Sequence, residues 1–389
     1  PTPQFDRRRQ RQMCIRDRSE LGLSQNLKIA QMFEDIDVMY SAHTHEVTLG
    51  AFLATDDEIT RTIPGEKLSS GERKKLNKGA AIVVETNRDM YVGRLDLEMT
   101  GGDVVDFSWE AIPVDESITP DPAMAELVAA MEEDFIAGED GQVIRHSFRP
   151  GGFNPPGLKG LQLVDDLDTT VGYTDTLLLR HNVLEDTLNN FLADAIREVT
   201  DPVVYSSGVH GWGGVDLSMA NGFRFGNAVL ADSAITLRDL YTWFPIAPAV
   251  NIADFSGQSI QNSLNTILGA VFDRNVFMQR GGWYLGLANM EQKIDLRNRP
   301  FSSSGGRIVE TSIGGSALDL GKRYVFASCY GHGNPLDDVC RTGGGANHMF
   351  FQLSDPDDYT STITLTDPVN KEGVIVGATV KQVAPDNFL

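Results

Sequence analysis

The chain has 389 residues, 41% hydrophobic and 22% charged, which is long enough for two domains with cores of their own and excludes a globally disordered or fibrous chain. A formal net charge of -21 argues against a surface built to neutralise polymeric nucleic acid, which needs clustered Lys and Arg, so that any nucleic-acid partner would be a small one such as a nucleotide. No apolar run approaches the roughly 18 residues of a membrane span, so the chain reads as soluble.

In chain order, residues 1–18 stand apart. They carry six Arg (Arg7, Arg8, Arg9, Arg11, Arg16, Arg18) and two acids (Asp6, Asp17) without helical or strand period. The run Gln12-Met13-Cys14-Ile15-Arg16-Asp17-Arg18 resembles translated sequencing-adapter read-through, and residues 1–18 are read as non-native. Residues 19–34 predict an amphipathic helix, with Leu23, Leu27, Ala30 and Phe33 near a 3.6-residue period, and Ile36–Tyr40 predicts a short strand. Helix then strand suits an α/β layer. Ala81–Glu85 and Tyr91–Leu97 read as strands separated by a turn around Asn87-Arg88-Asp89, as at the far edge of a sandwich.

Ile118-Thr119-Pro120-Asp121-Pro122 ends the strands, and Leu127, Val128, Met131 and Phe135 form the stripe of a candidate interdomain helix. Ser147–Leu161, with Pro150, Gly151, Gly152, Pro155 and Pro156, reads as a loop. Beyond Val171 the clearest helices are Asp186–Glu198, Leu237–Phe244 and Gly257–Val271. Thr236 and Asp239 are spaced to satisfy exposed backbone donors at the start of the second of these. Strands are expected at Val203–Tyr205, Arg307–Ser312 and Tyr324–Ser328. With Cys14 set aside, Cys329 and Cys340 close a Gly/Pro-rich loop short enough for a disulfide, which persists only in an oxidising compartment; two ordinary buried thiols are the alternative.

His43 and His45 directly follow an apolar strand. In extended backbone residues two apart leave on the same face, so both imidazoles can converge on one site. Neutral imidazole ligates Zn, Mn and Fe, and such a pair can serve two neighbouring ions. His146, His181, His210, His332 and His348 have no ligand-like spacing and are read as structural or exposed.

The segment Gly22–Glu46, a helix followed by Ile36-Asp37-Val38 and then Ala42-His43-Thr44-His45, resembles the last metal-binding segment of the calcineurin-like phosphoesterases of the 5′-nucleotidase superfamily. Several later segments resemble the C-terminal domain of the same superfamily. Glu185–Ala195 is similar to its opening helix and Asn221-Gly222-Phe223-Arg224-Phe225-Gly226 to its Asn-Gly…Arg substrate motif. Phe244-Pro245-Ile246 is similar to its Pro-Phe turn and Gly281-Gly282-Trp283 to its Gly-Gly-aromatic strand.

This resemblance implies an α/β (α+β) fold in four parts. After the foreign residues 1–18, residues 19–115 would be the C-terminal remnant of a metallophosphoesterase β-sandwich flanked by helices. Residues 116–165 would be an interdomain helix and loop, and residues 166–389 a mixed α/β substrate-recognition domain. It implies that His43 and His45 ligate one ion each of a two-metal (Mn or Zn) centre, with Glu20 at the place of a further family His. It also implies that Asn221 and Arg224 bind substrate, that Tyr330 is one of two base-stacking positions, and that Ile246 occupies the other, where the family has an aromatic.

The family's Asp-x-His, Gly-Asp and Gly-Asn-His-Glu ligand motifs do not occur in the sequence, and neither does its acidic residue near Gly343-Gly344-Gly345. The expectation is therefore a periplasmic or secreted, metal-dependent phosphoric-ester hydrolase of nucleotide catabolism, present as a fragment. No signal peptide is visible. The fragment would be inactive by itself, because two His and one Glu cannot hold both ions of a site that uses about seven side chains to activate water. The compact Gly222-Phe223-Arg224 form also resembles the thiosulfohydrolase branch, which acts on S-sulfonates, and a non-catalytic secreted ligand-binding protein is a further alternative.

Overall fold

The computed structural model describes residues 18–19, 21–33, 35–42, 46–86, 90–115, 117–133, 167–179, 184–220, 228–243, 250–279, 284–299, 306–329, 345–353, 362–366 and 373–379. The chain divides into two compact units. The first comprises residues 1–119 and 273–282, and the second residues 120–272 and 283–389.

The first unit is layered around a five-stranded mixed sheet. Its elements in order are β1 (Arg18–Ser19), α1 (Leu23–Met32), β2 (Val38–Ser41), β3 (Phe52–Ala54), β4 (Ile59–Arg61), α2 (Ser70–Leu76), β5 (Ala81–Glu85), β6 (Tyr91–Thr100) and β7 (Asp103–Pro113). The sheet runs β1-β2-β5-β3-β4, with β1, β2 and β5 parallel and β3 and β4 antiparallel. Alternation along β5 sends Ala81 and Val83 to the face covered by α1 and Ile82 and Val84 to the opposite face. The hairpin β6–β7 covers that second face with Val104, Phe107 and Trp109. Trp109 is anchored by its indole N–H, which donates to the Thr48 carbonyl at 2.6 Å. α2 begins with a capping box between Ser69 and Glu72.

Two sequence expectations change here. The first helix is shorter than residues 19–34, because Ser19 is taken by β1 and Gly22, at φ 95°, starts the helix only at Leu23. β5 is not at the edge of a sandwich: it is the middle strand of the sheet, and β6–β7 is a separate two-stranded layer. Arg18, at the end of the segment read as foreign, pairs with Tyr40 in β1.

The second unit contains α3 (Pro122–Glu133), β8 (Thr170–Thr174), α4 (Thr187–Ser207), β9 (Leu217–Ala220), β10 (Ser233–Thr236), α5 (Leu237–Trp243), β11 (Val250–Ser256), α6 (Gly257–Val271) and β12 (Gly286–Ala288). It continues through β13 (Met290–Ile294), β14 (Ile308–Ile313), β15 (Ser316–Ala317), β16 (Arg323–Cys329), β17 (Ala346–Leu353), β18 (Thr362–Thr366) and β19 (Gly373–Thr379). Its centre is a seven-stranded sheet of order β12-β9-β16-β11-β17-β18-β19, antiparallel except for β9 beside β16. α6 packs on one face through Ile260, Leu264, Leu268 and Val271. α4 packs on the other through Leu188, Leu192, Val203 and Val204.

Caps fix where these helices begin. Asp186 accepts the Asn189 amide at 2.7 Å, and Ser256 accepts that of Ser259 at 3.1 Å. At α5, Thr236 and Asp239 cap reciprocally, as their spacing predicts. The last turn of α6 is closed by the buried Arg307, which donates to the Leu268 and Phe272 carbonyls at 2.8 and 3.0 Å.

Val203–Tyr205, expected as a strand, is helical. The Asp186-capped helix α4 runs through Pro202 to Ser207, and Val203 and Val204 are buried against Trp212, Ile252 and Ala327. Packing of that face outweighs the β preference of the two valines and the helix-breaking tendency of Pro202. The helix expected from the Leu127, Val128 and Met131 stripe is α3, within the second unit, and these three residues are exposed rather than buried; Phe135 lies outside the described residues.

Candidate functional site

His43, His45 and Glu20 lie outside the described residues, and so do Asn221, Arg224, Ile246, Tyr330 and the Cys329–Cys340 pairing through Cys340. The described strands that lead into these segments leave the sheets at two rims, one in each unit.

In the first unit, the parallel strands β1, β2 and β5 end level, because Ser19 is the register partner of Ser41 and Ser41 of Glu85. This is the carboxyl edge of a parallel sheet, the place where α/β folds collect ligand-binding loops. Ser19 precedes Glu20, and Ser41 precedes the segment that carries His43 and His45. A buried polar network lies behind that edge. Asn26 of α1 donates to Ser41 Oγ at 2.9 Å, and Ser41 donates to Glu85 Oε2 at 2.7 Å. The Glu46 amide donates to Glu85 Oε1 at 3.3 Å.

Sequence reasoning did not single out Asn26, Ser41 or Glu85. The available signal was a Glu closing the run Ala81-Ile82-Val83-Val84, where both faces of the strand are buried. Among the described residues, no group of three or more His, Cys, Asp or Glu is placed to hold a metal ion. The chemistry of His43, His45 and Glu20 suits Mn or Zn. Three such donors are enough for one ion with an open position, as in catalytic zinc sites, and too few for two ions.

In the second unit, one row of register partners crosses five strands. Gly286 of β12 pairs with Ala220 of β9, Cys329 of β16 with Val250 of β11, and Val250 with Phe351 of β17. The parallel register of β9 and β16, Leu217 with Phe326 and Ser218 with Ala327, brings Ala220 level with Cys329 when continued. Asn221–Gly226 therefore follows this row directly and Tyr330 follows Cys329, while Phe244–Ile246 precedes Val250 and Gly281–Trp283 precedes Gly286. The described ends of β9, β16, β11 and β12 that border these four segments in sequence lie on one row. Gly286 has a packing reason to be glycine: a Cβ there would overlap the backbone carbonyl of Asn189 in α4.

Just inside the row, His348 bridges Asn251 and the Gly345 carbonyl, with ring-nitrogen distances of 3.2 and 3.0 Å, and packs edge-on against Phe255. His210 stacks beside Trp212 at 5.0 Å in a left-handed turn after Gly208. His146, His181 and His332 lie outside the described residues.

Residues 169–330 match the sequence model of the 5′-nucleotidase C-terminal domain. The match covers less than half of the chain and stands as a similarity of this segment to that domain. Residues 169–330 contain α4, α5, α6, β9, β11, β12 and β16, and so most of the row just described. No curated protein sequence matches the chain at a significant level. Among solved structures, the chain is similar to the sulfate thiohydrolase SoxB of Thermus thermophilus, with 19% identity and a TM-score of 0.51 over 79% of this chain and 45% of that one. It is also similar to a 5′-nucleotidase precursor from the same organism, with 17% identity and a TM-score of 0.50 over 80% of this chain and 52% of that one. At these identities the likeness establishes the mixed α/β fold. The chain spans about half the length of both solved relatives. No helix among the described residues is long and apolar enough to cross a membrane.

Proposed function

We propose that this chain is part of a metal-dependent hydrolase of the 5′-nucleotidase superfamily, acting in the periplasm or outside the cell on phosphate esters such as nucleotides. The observation that carries this reading is the row Gly286, Ala220, Cys329, Val250, at which β9 and β16 end just before Asn221 and Tyr330, within a segment that matches the 5′-nucleotidase C-terminal domain. Arg224 then supplies a planar guanidinium fork to phosphoryl oxygens. Asn221 hydrogen-bonds a ligand hydroxyl, and Tyr330 offers a ring face to a base. Ile246 makes that stack one-sided.

In the same reading His43, His45 and Glu20 are the metal donors that this chain contributes. When bound, the metal supplies Lewis-acid polarisation of the phosphoryl group. With donors for one ion only, the chain by itself binds substrate and does not turn it over.

The test is calorimetric titration of the full chain with AMP, alongside an assay of metal-dependent release of phosphate. AMP binding weakened about tenfold or more by Arg224→Met, with no hydrolysis, is the expected result. Binding indifferent to Arg224→Met, or metal-dependent turnover by the purified chain, overturns the proposal. The second reading, a thiosulfohydrolase acting on S-sulfonates, is favoured by the compact Gly222-Phe223-Arg224 motif. It predicts that S-sulfocysteine, and not AMP, binds in an Arg224-dependent manner.

A further inference from the structure

Glu85 is 1% exposed at the end of an otherwise apolar central strand. Burying a carboxyl costs several kcal/mol unless hydrogen bonds offset it, so an apolar residue would serve packing at this position better. Its two oxygens take up the two ends of one segment. Oε2 accepts from Ser41 Oγ at 2.7 Å and Oε1 accepts from the Glu46 amide at 3.3 Å. Ser41 stands two residues before His43, and Glu46 stands one residue after His45.

The carboxyl is itself held in place. The Glu85 amide donates to Thr48 Oγ1 at 2.9 Å, and the Thr48 amide donates to the Glu85 carbonyl at 2.8 Å. On the other side Asn26, fully buried in α1, donates to Ser41 Oγ at 2.9 Å. Two parallel strands and the start of the next segment thus meet on one carboxyl, and α1 joins them through the Ser41 hydroxyl.

We propose that Glu85 is a positioning residue for His43 and His45, acting through Ser41 and the Glu46 amide to fix both ends of the segment that carries them. This rests on the reading that His43 and His45 are metal ligands. A metal site needs its ligands held within about 0.5 Å of their productive places, and the hydrogen bonds behind the ligands do that holding. The clamp applies it at the backbone, where one buried side chain sets the entry and exit of four consecutive residues, Ala42 to His45.

The test has two arms, both on the full chain. In metal-free protein, Glu85→Gln and Ser41→Ala should speed hydrogen exchange of the Glu46 amide at least tenfold. Amides of Ile82–Val84 should exchange as in the wild type, which separates a local release from general unfolding; Ser41→Ala keeps the arm decisive if Glu85→Gln fails to fold. In the second arm Co2+ is titrated and its visible absorption followed. The wild type binds, His43→Ala and His45→Ala abolish binding, and the two clamp variants weaken it about 10- to 100-fold. Unchanged exchange at Glu46 overturns the clamp. Co2+ affinity unchanged in both clamp variants overturns the positioning role while leaving the two His as ligands. A wild type that binds no Co2+ overturns the ligand reading and this proposal with it, whatever the exchange arm reports.

Discussion

Across β11 and β16, Arg323 grips Asp254 with two charge-assisted bonds, Nε to Oδ2 at 2.8 Å and Nη2 to Oδ1 at 2.9 Å, while Asn347 donates to the same carboxylate at 3.3 Å. The Arg323 guanidinium holds the Asp254 carboxyl below the usual carboxylate range, outweighing the opposite effect of burial. A carboxyl whose folded pKa is depressed stabilises the fold above its unfolded value of about 3.9, and that contribution is lost as pH falls through the lower folded value. Asp254→Asn should therefore lower the melting temperature at pH 7 by about 2–4 °C, the size expected of about 1 kcal/mol for a pair whose arginine is half exposed. The difference should shrink as pH falls below the unfolded value of about 3.9 and through the lower folded value. A mutant deficit in melting temperature that stays constant as pH is lowered from 7 into the acid unfolding range would show that the pair's charge is not the cause. Glu85 and Asp254 are both acids in central strands, with different partners. Asp254 meets a cation across a ladder, whereas Glu85 takes up the hydroxyl and amide that flank the candidate ligands.

At the scale of elements, α3 is attached in an unusual way. Met124, Leu127, Val128 and Met131 are exposed, so apolar burial contributes little to holding this helix. Arg238 of α5 instead binds the Glu132 carboxylate with both Nη atoms and Asp168 through Nε at 2.8 Å, which raises the Arg238 pKa. Because these groups are partly solvated, Arg238→Ala should cost less than about 1 kcal/mol of global stability, while exchange of the α3 amides speeds at least tenfold. Unaltered α3 exchange would mean that the helix is held by something other than this tie. The stripe of Leu127, Val128 and Met131 made α3 legible in sequence without revealing that it would remain exposed. α6 was legible to the residue, because its period and its Ser256 cap agree. α4 was legible at its start and not at its end: Pro202 and two valines read locally as a break and a strand, and only the apolar surface of β11 and β16 keeps them helical. The candidate site divides along the same line. The family resemblance names Asn221, Arg224 and Tyr330, but that the strands before them, β9 and β16, end level follows only from their parallel register. The role of Glu85 is a tertiary fact, since its partners lie 37 or more residues away.

The two units differ in how much core they bury, and this sets the order in which the molecule should come apart. In the first unit, the five-stranded sheet is covered by one ten-residue helix on one side and by the hairpin with the seven-residue α2 on the other. In the second unit, a seven-stranded sheet carries a 21-residue helix on one face and a 15-residue helix on the other, and three apolar clusters form around them. Stability from burial grows with the apolar area removed from water, so sub-global opening should begin in the smaller unit. Trypsin has ready targets there, including Arg73, Lys74 and Lys75 in α2. Limited proteolysis followed by mass spectrometry should find the first cuts within residues 1–110 and leave a resistant product that retains α4 and α6. A uniformly resistant chain, or first cuts inside α4 or α6, would contradict this order. Every candidate substrate contact, from Asn221 to Tyr330, lies in the part expected to survive, so the nicked protein should bind AMP with the affinity of the intact chain. If affinity instead falls with the first cut, residues of the first unit contribute to substrate binding, and the proposed assignment of recognition to the second unit alone fails.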